Sequence, residues 1–249
     1  MTISWVVFAC TFVGALLGMF LRRVLPEHPI NEDSKDLVKL GMGLIATMAA
    51  LVLALLIASA KSYHDLQNTE VTTLASDFIL LDRTLARYGP ETKDARNQIP
   101  GTIESVLDQT WSKDAFRSEN LDRAFGPRAE MFYAQIKQFE PRTDLQHAVY
   151  AQVMDIGMKL GRKRSFLLEQ TGGSIPTPFL VVLVFWLALI FSGFGLFAPT
   201  NSTIIGILVA CALSVAAAIF LILELDHPFQ GLMQISGVSL RDALVHLGK

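Results

Sequence analysis

Residues 170–223 read QTGGSIPTPFLVVLVFWLALIFSGFGLFAPTNSTIIGILVACALSVAAAIFLIL, 54 positions without a single Asp, Glu, Lys or Arg. About 20 apolar residues cross a hydrocarbon core of roughly 30 Å as a helix, so this stretch is long enough for two spans. Pro199-Thr200-Asn201-Ser202 near its middle supplies the turn, which predicts helices at 178–198 and 203–223. Two further uncharged runs precede it, ISWVVFACTFVGALLGMFL at 3–21 and LGMGLIATMAALVLALLIASA at 40–60. A soluble core can bury one such helix, but four together point to a bilayer. The expected fold class is an all-α integral membrane protein: four transmembrane helices, with a helical extramembrane domain inserted between the second and third.

The composition agrees once it is mapped along the chain. Of 249 residues 51% are apolar, yet 21 are Lys or Arg and 23 are Asp or Glu. Eight of these charges lie in 22–39, 31 in 61–174 and five from Glu224 onward, leaving none for the four spans. The expected organisation is therefore 1–60, the first two spans and their loop; 61–174, a helical domain; 175–225, the last two spans; and 226–249, a short amphipathic tail. Apolar content is too high, and Gly, Pro and Cys too low, for a disordered, collagen-like or disulfide-stapled chain. A net charge of −2 offers nothing to nucleic acid. Met1-Thr2-Ile3-Ser4-Trp5 lacks the basic region of a cleaved signal peptide, so the first helix is expected to stay. Cys10 and Cys211 fall inside spans and imply neither a disulfide framework nor a zinc site.

The middle domain reads as helical throughout. Val71, Leu74, Phe78, Leu81, Leu85 and Tyr88 recur every three or four residues, a stripe that continues the second span until Gly89-Pro90 ends it. Pro100-Gly101 is expected to break the next segment, with Ile103, Val106, Leu107 and Trp111 forming a short helix after it. Phe132, Ile136 and Phe139 mark another helix before Pro141, and Thr143 is a plausible N-cap for a long one through Leu145, Val149, Val153, Ile156 and Leu160. Charge bias leaves the orientation almost open. Arg22 and Arg23 favour placing the first loop inside, whereas Lys61, Lys159, Arg162, Lys163, Arg164, Arg241 and Lys249 favour cytoplasmic termini and middle domain.

No catalytic constellation emerges: G-x-S-x-G, Walker, H-E-x-x-H and paired C-x-x-C motifs are missing, so an enzyme, a cofactor and a metal are not expected. Gly41-Met42-Gly43-Leu44-Ile45-Ala46 imitates a dinucleotide fingerprint but lies inside an apolar helix with no strand before it, where close helix packing is the better explanation. The cluster Glu224, Asp226 and His227 at the membrane edge has two readings. It could bind a cation or sense protons; more often such residues are the first solvated positions after a span, with Asp226 capping a helix opened by Pro228. The basic run Gly161-Arg162-Lys163-Arg164 reads as a solvated face or a headgroup contact.

The spans lack the intramembrane Asp, Glu, His or Lys of a proton-coupled transporter. They carry small residues in register instead: Gly14 and Gly18 on the first; Gly43, Thr47, Ala50, Ala54 and Ala58 on the second; Gly206, Ala210, Ser214 and Ala218 on the fourth. Close helix packing is the usual meaning of such spacing. The second helix is the exception, because a small, faintly polar face can also line a pore when several copies surround an axis. Phe191, Phe194 and Phe197 are candidates for a dewetting gate, with lipid contact the default.

Four segments carry a family resemblance: LRRVLPEHPINEDSKDLVKLGMGLIATMAALVLALLIASAKS at 21–62, LARYGPE at 85–91, SIPTPFLVVLVFWLALIFSGFGLFAP at 174–199 and LILELDHPFQGLMQIS at 221–236. With them the chain resembles the bacterial bestrophin-like domain membrane proteins over nearly its whole length. True bestrophins are pentameric ion channels with cytoplasmic termini and insert, and a pore lined by the second helix. The resemblance thus implies an oligomeric channel for small inorganic ions in the bacterial inner membrane, self-associating as a pentamer in the lipid bilayer, with 61–174 in the cytoplasm. In calcium-activated bestrophins an acidic run after the Pro-Phe segment clasps calcium; here Gln230, Leu232, Met233 and Gln234 stand in that place, which implies no calcium gating by this route. The alternative is a non-conducting scaffold or sensor whose Val71–Tyr88 stripe binds a protein partner.

Overall fold

The computed structural model describes residues 2–24, 32–111, 130–169, 175–197, 201–229 and 231–247. All regular secondary structure among them is helical. In chain order the elements are α1 (Thr2–Val24), α2 (Glu32–Tyr88), a 3₁₀ turn (Pro90–Thr92), α3 (Lys93–Thr110), α4 (130–136), α5 (Asp144–Glu169), α6 (Thr177–Phe197), α7 (Ser202–Leu225) and α8 (Val238–His246). Four of them, α1, α2, α6 and α7, are long and apolar enough to cross a membrane. The chain divides into two units, one of Met1–Ser62 with Ser174–Asp226, the other of Tyr63–Gly173 with His227–Lys249.

In the first unit, absent side chains set how closely the helices approach. A Cβ built on Gly14 would lie 2.7 Å from the Ala188 carbonyl oxygen. One on Gly18 would press on the backbone of Ser192 and Leu196, and one on Gly195 of α6 would press on the Ala15 carbonyl. α1 and α6 therefore touch backbone to backbone, as small residues allow in helix pairs that gain nothing from water exclusion. Around this seam Val7, Ala49, Leu56, Ala60, Leu183, Leu187, Ile190, Ile219 and Ile222 form one apolar cluster, and Ala15, Met19, Phe191, Leu208 and Ala212 a second. Thr11, fully buried, returns its hydroxyl to its own helix by donating to the Val7 carbonyl at 2.9 Å.

Not every small stripe packs within the chain. On α7 the buried residues are Leu208, Ala212, Ala216, Ile219 and Ile222, while Gly206, Ala210 and Ser214 are exposed. Gly41 and Gly43 of α2 likewise meet nothing within 4 Å of a built Cβ, so helix packing inside one chain does not explain that glycine pair. Phe191 is buried in the core, which takes it out of any gate, whereas Phe194 is exposed.

The second unit is built on the predicted stripe. Val71, Leu74, Phe78, Leu81, Leu85 and Tyr88 are all buried, packed with Ile99, Ile103 and Val106 of α3, Ile136 of α4, Val149, Val153 and Ile156 of α5, and Leu240 and Ala243 of α8. Gly89 ends α2 with φ of 142°, a conformation that L side chains rarely adopt, and Thr92 fixes the turn by donating to the Leu85 carbonyl at 2.7 Å. Thr143 caps α5 by accepting the Gln146 N–H at 3.2 Å, while the Gln146 side chain accepts the Arg142 N–H at 2.9 Å, a variant of the capping box.

Two sequence expectations need correction. Pro100-Gly101 does not break a segment: α3 runs through both, because Ala95, Ile99, Ile103 and Val106 keep one buried stripe on either side and outweigh the single backbone hydrogen bond that proline forfeits. Nor does Pro228 open a helix capped by Asp226. The Pro228 carbonyl instead accepts the Ile235 N–H at 2.7 Å, and α8 begins only at Val238.

Candidate functional site

α2 presents its side chains at about 100° per residue, which puts Gly43, Thr47, Ala50, Ala54 and Ala58 on a single face. All five are exposed in the chain. The opposite side, Ala49, Leu56 and Ala60, is buried among α1, α6 and α7 residues. What this face offers is smooth and weakly polar. The Thr47 hydroxyl donates to the Leu44 carbonyl at 2.7 Å, which occupies its proton and leaves oxygen lone pairs facing outward. Beside the small face runs a bulkier exposed row, Leu44, Met48, Leu51 and Leu55.

Asp226 is buried and terminates α7, its N–H bonded to the Ile222 carbonyl at 3.1 Å; Glu224 is half-buried; His227 is exposed. Among the described residues no group of three or more His, Cys, Asp or Glu is placed to hold a metal ion. The basic run after Gly161 is partly committed: Lys163 donates to Asp77 at 2.6 Å and, one turn earlier, Lys159 pairs with Asp155 at 2.7 Å.

Contacts between residues far apart in the chain organise the second unit. Arg96 of α3 makes a two-pronged contact with Asp82 of α2, Nε to Oδ1 at 2.7 Å and Nη2 to Oδ2 at 3.0 Å. The Asp82 hydrogen bond holds the guanidinium above its ordinary value against the opposing effect of burial. Burial alone pushes the Tyr133 phenol up, so it stays protonated where it lies against Gly157. The segment before α8 is hooked by the Trp111 indole donating to the Ile235 carbonyl at 2.7 Å and by His64 Nε2 donating to the Met233 carbonyl at 3.0 Å. Fourteen and more residues separate each of these pairs, and no local pattern announces them.

The Val71–Tyr88 stripe, the feature that would recruit a partner in a scaffold, is consumed by the core of its own unit. The small face of α2, like Gly206, Ala210 and Ser214 of α7, is exposed within the chain.

A helical fold with four helices able to cross a membrane, and an exposed small-residue face on one of them, defines a helical membrane protein. A family model, the Bestrophin-like domain, matches residues 9–240, and the chain belongs to that family. No curated protein matches it. Among solved structures it is similar to crystal structures of a bacterial bestrophin homolog from Klebsiella pneumoniae, each carrying a mutation. One matches with a TM-score of 0.62 at 13% identity, covering 99% of this chain and 98% of that one. Another gives 0.60 at 12%, covering 97% and 96%. At these identities the likeness is one of fold.

Proposed function

We propose that the chain is an ion channel of bestrophin-like architecture: an oligomer in the bacterial inner membrane, crossing it four times, with α2 of each copy around a central axis. One observation carries the reading. Along the uncharged part of α2, Gly43, Thr47, Ala50, Ala54 and Ala58 are exposed on one face, while Ala49, Leu56 and Ala60 pack into the unit from the other. Family membership and the bestrophin fold support it. No single chain of this kind encloses a wet path, since the residues that could line one lie on the outside. Repetition around an axis turns an outer face into an inner one. The resemblance to pentameric bestrophins supports five copies and a cytoplasmic position for 61–174.

Permeation through such a face is selected by pore width and by the field of Thr47 oxygens and helix carbonyls, because no charged ring is present along 40–60. Calcium does not gate through the segment after Pro228: Leu232 and Met233 bring no carboxylate, and the Met233 and Ile235 carbonyls are already engaged by His64 and Trp111. Of the three residues at the end of α7, His227 alone is exposed; Glu224 is half-buried and Asp226 buried.

Purified protein in liposomes is expected to discharge an imposed potassium or chloride gradient faster than empty liposomes. Ala54→Trp, which sets a bulky ring on the small face, should cut that rate by at least about tenfold without changing assembly. Equal discharge with and without protein, from a preparation shown to be oligomeric, overturns the channel reading.

A further inference from the structure

The bulky row and the small face of α2 have a third neighbour, a groove of about 660 Å³ on the far flank of the small face. Gly43 and Ala46 of α2, Gly193 and Phe194 of α6, and Ile207 and Cys211 of α7 line it, and Lys39 stands at one end. Its walls are almost wholly apolar. It is open beside Gly43, where a Cβ would meet nothing within 4 Å, whereas the Met42 thioether fills the space left by Gly193.

Ridge and groove share a depth. Leu44 and Met48 of the ridge lie within one helical turn of Gly43 and Ala46 of the groove, and about 100° per residue puts the two features roughly 160° apart with the small face between them. A rotation about an axis parallel to α2 therefore carries the ridge of one copy to the groove of the next with no slide along the helix. A contact without slide makes a closed ring, not a helical filament, when the rotation divides a full turn. Since ridge and groove differ, the contact is head-to-tail and cannot be the self-matching contact of a two-fold dimer.

Resting on the channel reading, we infer that this groove seats the Leu44–Met48 ridge of the adjoining copy, a heterologous seam that closes the ring and turns the small face inward. Apolar helices gain little by leaving lipid unless shapes interlock, and a ridge entering a groove cut by glycine meets that need. The charges agree. Lys39 at the groove and Asp36, about 60° nearer the ridge, pair within the chain at 3.0 Å, yet their side chains remain 61% and 70% exposed. Each is free to meet the opposite charge of the adjoining copy at the seam.

Cysteine crosslinking in proteoliposomes tests the seam. In a Cys10→Ala background, Met48→Cys is paired with the native Cys211; independently, Leu44→Cys is paired with Ile207→Cys after Cys211→Ala. Oxidation with copper phenanthroline is expected to give each pair a covalent ladder on denaturing gels, reaching the subunit number counted by native mass spectrometry, and to give none for the corresponding single-cysteine proteins. Two results overturn the seam while leaving self-association intact: Met48→Cys without Cys211 crosslinking as strongly as the pair, or neither pair crosslinking in a protein that native mass shows to be oligomeric, as when lipid fills the groove. A monomer by native mass overturns the assembly reading itself, and the seam with it.

Discussion

Gly18→Leu is expected to lower the melting temperature of the detergent-solubilised protein by about 10 °C or more, a loss of roughly 3 kcal/mol at least. The cost is set by what the new side chain would strike. Its Cβ would overlap the Ser192 carbonyl and crowd the Leu196 nitrogen, both backbone atoms, which no rotamer change can move aside. Relief requires α1 and α6 to separate, and separation breaks the matching contacts at Gly14 and Gly195 along the same seam. Ordinary overpacking, absorbed by flexible side chains, costs about 1–3 kcal/mol, and this site lies at or above that range. Gly206→Leu is the control: its Cβ meets nothing within 4 Å, so the variant should melt within about 0.5 kcal/mol of the parent. If the two variants melt alike, the backbone contact between α1 and α6 is not what holds the first unit together.

Arg96→Met is expected to destabilise the second unit by about 3 kcal/mol, the low end of the range for removing one member of a buried ion pair. Asp82 is 4% exposed at its side chain and would lose the guanidinium that meets both its oxygens; Arg96 is 26% exposed, and water reaching that site moderates the loss. The double variant Arg96→Met, Asp82→Leu should recover most of it, since two apolar groups leave no charge unpaired. Lys163→Met, whose partner Asp77 is 19% exposed, should cost only about 1 kcal/mol. Urea titrations of the four proteins, followed by tryptophan fluorescence, make the comparison; a double variant as unstable as Arg96→Met alone contradicts the account of the pair. The sign of the pH effect is fixed as well. The Arg96 pKa is raised by Asp82, so its stabilisation is complete below its ordinary value and fades only as pH climbs through the higher folded value. Arg96 therefore adds no slope to stability between about pH 5 and 9.

What could be read from the sequence was what repeats locally. Charge-free runs of about 20 residues located the helices that can cross a membrane, the spacing from Val71 to Tyr88 located the core of the second unit, and Thr143 located the start of α5. Gly14 and Gly18 announced the closest helix approach because a small residue every four positions has few other uses in an apolar helix. Local signals failed where distant packing decided the outcome. Pro100 looked like a break, but buried residues on both sides of it held α3 together. Gly206, Ala210 and Ser214 matched the packing pattern of α1 and yet stayed exposed, since periodicity specifies a face without naming its neighbour. The Asp82–Arg96 pair, the hook from Trp111 to Ile235 and the groove beside Gly43 unite residues far apart in the chain, which only the fold brings together.

Whether α2 lines an ion path with its small face is decided by recording single channels from Ala50→Cys, with Cys10 and Cys211 replaced by alanine, in planar bilayers before and after a charged, impermeant thiol reagent. Unitary currents are expected to fall in discrete steps as successive copies are modified, with no response from Leu55→Cys in the same background. Silent bilayers from intact oligomers, or currents that respond at Leu55→Cys and not at Ala50→Cys, would contradict a path lined by that face.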